Sequence, residues 1–141
     1  MSLSFASLPT WILSSAAARS HQALRNCLAQ VGVSGYEYRC LTVLAINGQL
    51  SQAELGNAAV LDPRDVTHTV RELEGRGLVL REKDPRHGRR ILVSLTAAGR
   101  RTTSRLVRVM ADIQDKVFGR LSAAERSTLL ELLERVGSDF S

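Results

Sequence analysis

Cysteine is scarce in this 141-residue chain. Only Cys27 and Cys40 occur, too few and too far apart for a disulfide framework or a zinc site. Both are expected to stay reduced. Aromatic residues make up 4% of the sequence, so a core must be built mainly from Leu, Val and Ala, which favours helices over a β-sandwich. No apolar run reaches the about 18 residues of a membrane span. The opening MSLSFASLPTW lacks the basic start of a signal peptide, so a cytoplasmic chain without membrane contact is expected. His21, His68, His87 and the two cysteines fall at no catalytic or metal-ligand spacing, and no Gly-rich phosphate loop or nucleophile motif occurs. These absences argue against an enzyme and imply neither cofactor nor metal. Lysine is also rare: Lys83 and Lys116 leave arginine to supply the other 17 of 19 basic side chains.

What is present is a chain that is 44% hydrophobic, with net charge +5 and pI near 10.0. Its length suits one domain, and its basicity suits an anionic partner. Arginine favours bidentate contacts to phosphate and guanine, although a genomic bias in composition would give the same excess.

Helix starts are written clearly into the sequence. Ser34-Gly-Tyr-Glu37, Ser51-Gln-Ala-Glu54 and Ser122-Ala-Ala-Glu125 are capping-box patterns. Asp62-Pro63 places an N-cap before a proline at the first helical position. Thr96 is a further N-cap, and Pro9-Thr10 precedes the first helix. The implied helices cover roughly 10–30, 35–46, 51–58, 62–75, 96–118 and 122–138, with Gly32, Gly48 and Gly75/Gly77 at ends where glycine is favoured. Gln49-Leu50 is a candidate short strand.

Between the fourth and fifth helices, Leu80 to Gly99 reads as a β-hairpin. Asp84-Pro85 opens its turn, Gly88 closes it, and Ile91, Val93 and Leu95 alternate with Leu92, Ser94 and Thr96. Arg86, Arg89 and Arg90 sit at or beside its tip, where no core requires them. Alone this could be a solvated hairpin. It follows a pair of short helices, however, and the second buries Val66, Val70 and Leu73 while presenting Arg64, Asp65, Thr67, His68 and Arg71 on the other face. The combination predicts a mainly α fold with a small β-hairpin wing: a winged helix-turn-helix.

These residues resemble the multiple-antibiotic-resistance regulator (MarR) family of winged-helix transcription factors. The matching string is Ser51-Gln-Ala-Glu-Leu55, Val66-Thr67, Leu73-Glu74-x-Arg76-Gly77-Leu78-Val79, Asp84-x-Arg86-x-x-Arg89 and Val93-x-Leu95-Thr96-x-x-Gly99, without insertions. The family often has Gly where this chain has Val60, Arg where it has His68, and an acid where it has His87.

The resemblance implies a single domain over 1–141. Its dimerisation helices span about 8–32 and 100–141, and its DNA-binding lobe about 34–98. Double-stranded DNA is the implied partner, read as a pseudo-palindrome by a homodimeric repressor. The helix from Asp62 would enter the major groove with Arg64, Thr67, His68 and Arg71. Asp65 could accept from cytosine or simply serve the helix N-terminus. Ser51 and Gln52 would lie near a phosphate. In the wing, Arg86 would reach the minor groove, with Arg89 and Arg90 on phosphate and His87 beside them. Asp84 could pair with Arg86 or Arg89 as a brace, whereas Arg76 could be merely solvated.

Leu106, Val109, Met110, Ile113 and Val117 form one apolar stripe. Leu129, Leu130, Leu132, Leu133, Val136 and Phe140 form another, and Leu3, Phe5, Leu8, Trp11 and Ile12 add an apolar N-terminus. Such stripes could pack within one chain, but their extent favours a dimer. The resemblance also implies a small aromatic or phenolic effector, with His21, Arg25, Tyr36, Tyr38 and Arg39 as candidate contacts. Two alternatives are an oxidant sensor using Cys27 or Cys40, and a winged-helix protein-interaction module that binds no DNA.

Overall fold

In the computed structural model, residues 4–139 are described. Leu3 and Phe140, counted above among the apolar terminal residues, lie outside the described residues. A 3-10 turn at Phe5–Ser7 leads into α1 (Pro9–Val31) and α2 (Gly35–Asn47). Then follow β1 (Leu50–Ser51), α3 (Gln52–Ala58), α4 (Pro63–Gly75), β2 (Val79–Lys83), β3 (Ile91–Leu95), α5 (Ala97–Val117) and α6 (Ala123–Arg135).

The expected caps form. Ser34, Ser51 and Ser122 each accept from the backbone N–H three residues on, and Glu37, Glu54 and Glu125 each reach back to the N-cap N–H. Asp62 accepts from the Asp65 N–H at 2.8 Å, and Thr96 from the Gly99 N–H at 3.0 Å. The first helix differs: it starts at Pro9, and Leu8 supplies no side-chain cap. The last helix ends at Arg135, short of position 138, because Val136 is extended and Gly137 turns left-handed. The short strand is Leu50–Ser51, one residue later than expected, and pairs Leu50 with Val93 and Ser51 with Leu92.

β3 is the middle strand of an antiparallel sheet of order β1-β3-β2. The β2–β3 ladder runs from Val79↔Leu95 to Lys83↔Ile91 and stops there. The core gathers Leu41 and Leu44 of α2, Leu55 of α3, Val70 and Leu73 of α4, Val93 of β3 and Leu106 of α5, all essentially inaccessible. Gly99 joins the long helix to this lobe. A Cβ there would collide with the Leu78 carbonyl oxygen, and that oxygen also accepts from the Thr96 N–H at 3.1 Å. The Thr96 hydroxyl donates to the Gly77 carbonyl at 2.6 Å.

Candidate nucleic-acid interface

Amphipathic α4 sets the first part of the site. Val66, Thr69, Val70 and Leu73 are buried, which leaves Arg64, His68 and Arg71 exposed on the opposite face. Thr67 is half-buried and faces α3. Its hydroxyl donates to the Pro63 carbonyl at 2.7 Å and accepts from Gln52 Nε2 at 3.0 Å, which ties the start of α3 to α4. Gln52 Oε1 is buried beside this contact without a partner among the described residues. His68 Nε2 lies 2.9 Å from Glu72 one turn on. Asp65 is half-buried in the first turn, where its negative charge favours the helix N-terminus.

The turn between α3 and α4 explains how α4 is held. Val60 adopts φ 56°, the left-handed region, although it is β-branched and exposed. Arg39 of α2 reaches this turn, with Nη1 donating to the carbonyls of Ala59 at 3.4 Å and Val60 at 3.3 Å. At the other end of α4, Arg76 is not merely solvated. It pairs at 2.9 Å with buried Glu37, whose second oxygen completes the α2 capping box. Sequence reading did not identify either clamp, since each partner is distant in the chain and of ordinary type.

Residues 84–90 form the wing tip beyond the end of the strand ladder. Asp84 N–H donates to the Arg90 carbonyl at 2.8 Å, and the His87 N–H donates to the Asp84 carbonyl at 3.2 Å. The buried Asp84 carboxylate accepts from the Arg86 backbone N–H at 2.8 Å. Its ionic partner is Arg90, at 3.8 Å, rather than Arg86 or Arg89. Arg90 also donates to Glu54 at 2.6 Å, so its side chain turns back toward α3. Arg86, His87 and Arg89 stay exposed. The side chains of Arg64, Arg71, Arg86 and Arg89 form no ion pair or hydrogen bond among the described residues. Ser51 is buried and occupied by its capping role.

The sequence model of the MarR family matches residues 31–90, from the end of α1 to the wing. The HTH-type transcriptional repressor Rv2887 of Mycobacterium tuberculosis is 33% identical over 112 residues, 79% of this chain and 81% of that protein. The chain belongs to the MarR family. It is a winged helix-turn-helix transcriptional regulator, like the relatives it matches. The PcaV transcriptional regulator of Streptomyces coelicolor, solved in complex with its natural ligand, is 26% identical with a TM-score of 0.79, covering 100% of this chain and 99% of that one. A mutant MarR of Escherichia coli complexed with operator DNA shares the fold, with a TM-score of 0.78 and 21% identity over 89% of this chain and 90% of that one.

Of the five effector candidates of this MarR-family chain, Tyr36 and Arg39 are brought into contact. His21 is exposed on α1, and Arg25 donates to Gln22. Arg39 is engaged at the α3–α4 turn, with its guanidinium 5.4 Å from the exposed Tyr36 ring. Tyr38 packs half-buried against the core, and burial raises its pKa. A groove of about 730 Å³ lies instead between α2, β3 and α5, lined by Leu44, Gln49, Leu95, Thr103, Arg100 and Arg108, with none of the five in its wall. Cys40 is fully buried, and burial pushes its thiol up to about 11, away from the reactive thiolate. Cys27 is half-buried, with Sγ 3.9 Å from the Val109 carbonyl.

The terminal helices leave their apolar faces uncovered. α6 contains no buried residue, and Leu130, Leu132, Leu133 and Val136 are exposed. Leu8, Trp11, Ile12 and Leu13 at the start of α1 are exposed too. A groove of about 850 Å³ between α1, α5 and α6 is lined by Ile12, Leu13, Val117, Phe118, Leu129 and Leu133. No helix is long and apolar enough to cross a membrane among the described residues.

Proposed function

We propose that this regulator is a homodimeric repressor that reads a pseudo-palindromic operator with α4 in the major groove and the wing in the minor groove. The observation that carries this reading is the set of four unpaired arginines, Arg64 and Arg71 on α4 and Arg86 and Arg89 on the wing. Arg76, Arg81 and Arg90, by contrast, are engaged in ion pairs with Glu37, Glu74 and Glu54. Arg64 and Arg71 reach base edges or adjacent phosphate, with His68 between them. Arg86 enters the minor groove, and Arg89 and His87 lie along the backbone. Thr67 and Gln52 set the approach of α4. Asp65 and Ser51 serve the helix starts.

The uncovered faces of α1, α5 and α6 support a two-fold dimer. A 13-residue helix with no fully buried side chain, held to its own chain mainly by Arg126 against Asp115 and Phe118, leaves most of its apolar face free for a second copy. The groove between α2, β3 and α5 suits a small effector, since it touches both the DNA-binding lobe and the long helix and carries two cationic ends, Arg100 and Arg108. PcaV, solved in complex with its natural ligand, supports a bound ligand for this chain as well.

The test is binding to duplexes selected from a random pool on the wild-type protein. Arg71→Ala should weaken binding by about 1–3 kcal/mol and relax base preference at one position. Arg86→Ala should lower the slope of log K against log salt by about 1. Selection that enriches no sequence, or unchanged binding by both variants, would contradict the proposal.

A further inference from the structure

Glu54 and Arg90 are 36 positions apart, yet they meet at 2.6 Å. Glu54 Oε1 accepts from two donors: the Ser51 backbone N–H at 2.9 Å, which closes the α3 capping box, and Arg90 Nη2. On the same edge of the Arg90 guanidinium, Nε lies 3.8 Å from Asp84 Oδ2, and the Asp84 carboxylate accepts from the Arg86 backbone N–H. A continuous line of contacts therefore runs from the start of α3 through Glu54, Arg90 and Asp84 to the wing tip. The regular ladder ends at Lys83↔Ile91, and beyond it residues 84–90 are held by backbone bonds within the tip, Asp84 N–H to the Arg90 carbonyl and Arg90 N–H to the His87 carbonyl, both at 2.8 Å. The side-chain line adds a tie from this tip to α3.

We infer that Glu54 and Arg90 act as a strut that sets the position of the wing tip relative to α4, so that an acidic residue, Glu54, increases DNA affinity and Arg90 is a positioning residue instead of a phosphate contact. The inference rests on the DNA-binding reading above. Its physical content is pre-organisation: a wing already held in its bound position loses less freedom on binding. The environment of Glu54 keeps the strut charged. The Ser51 hydrogen bonds, then Arg90, hold its carboxyl down at about 2.

The rival accounts give opposite signs. If only charge mattered, removing the Glu54 carboxylate from a DNA-facing surface would tighten binding. If Arg90 bound phosphate, freeing it from Glu54 would also tighten binding. The strut predicts weaker binding.

The decisive variant is Glu54→Gln, which retains an oxygen to accept from Ser51 and so preserves the α3 cap. Affinity for the duplex selected on the wild type is measured across salt concentrations, well below the thermal midpoint of each variant. Glu54→Gln and Arg90→Gln should each weaken binding about tenfold, the double variant should lose little beyond the larger single loss, and Arg90→Lys should recover part of it. The salt slope of Arg90→Gln should match wild type, unlike that of Arg86→Ala. A residue important only for folding would shift the melting temperature and leave the affinity of the folded protein unchanged. Equal or tighter binding by Glu54→Gln, or a slope lowered by about 1 in Arg90→Gln, overturns the strut. Either result, with wild-type binding intact, leaves the DNA-binding reading standing. A wild type that selects no duplex overturns both.

Discussion

Val60 carries a local conflict between side chain and backbone. Its left-handed conformation costs a β-branched residue about 1–2 kcal/mol relative to glycine, and its exposed side chain gains little from packing in return. Part of that gain is offset by the greater freedom of glycine in the unfolded chain. Val60→Gly should therefore raise stability by about 1 kcal/mol in denaturant unfolding. An unchanged or lower midpoint would show that the turn is not strained. The substitution was legible in the sequence as a departure from the family; the left-handed φ and the Arg39 clamp were not, because they depend on where α2 lies. Gly99 is the opposite case, with no room for a methyl group against the Leu78 carbonyl. Gly99→Ala should cost about 3 kcal/mol, or more if the helix must shift. Glu54 gives a pH signature. Its pKa lies near 2 folded against an ordinary 4.5, so its contribution is fully present above about pH 4.5 and is lost as pH falls toward 2. NMR titration of the Glu54 carboxyl should give a midpoint near 2. A midpoint near 4.5 in the wild type would mean that the Ser51 and Arg90 contacts are absent in solution.

Among the elements, helix starts were the most legible feature, since a capping box is a local pattern whose chemistry needs nothing distant. Ser34, Ser51, Asp62, Thr96 and Ser122 all form caps where the sequence places them. Helix ends were less legible: α6 stops before 138 because of Val136 and Gly137, and β1 moved by one residue to pair with Leu92 and Val93. The same limit applies to the site. Helical period alone puts Arg64, His68 and Arg71 on the exposed face of α4, but it also puts Asp65 and Thr67 there, which are half-buried, and it does not give the partner of Asp84. Sequence offered Arg86 and Arg89, and the hairpin's return brings Arg90 there instead. At this scale α4 and the wing should differ in kind. Arg71→Ala should change which bases are preferred, whereas Arg86→Ala should weaken all sequences and reduce salt sensitivity. Quantitative binding to a panel of single-base variants checks this, and identical profiles for the two proteins would contradict the division of roles.

For the whole molecule, the winged-helix lobe is well packed and the helices that flank it are not. Leu41, Leu55, Val70, Val93 and Leu106 close one core, while α6 and the start of α1 keep their apolar residues in the open. Ile12 and Leu132 are more than 45% exposed within one chain, at 57% and 48%. As monomer surface positions, each should therefore tolerate change within about 0.5 kcal/mol. In a dimer, Ile12→Glu or Leu132→Glu should instead give concentration-dependent dissociation in sedimentation equilibrium, with DNA binding lost in parallel. Unaltered association would place these faces outside the interface.

The central claim is that two copies present α4 and the wing to adjacent turns of one duplex. Hydroxyl-radical footprinting of the wild-type protein on its selected duplex tests it most directly. Two symmetric protected regions are expected, with centres about 10 base pairs apart or a multiple of that, and protection should fade as salt rises. A single unsymmetric patch, or no protection at physiological salt, would contradict it.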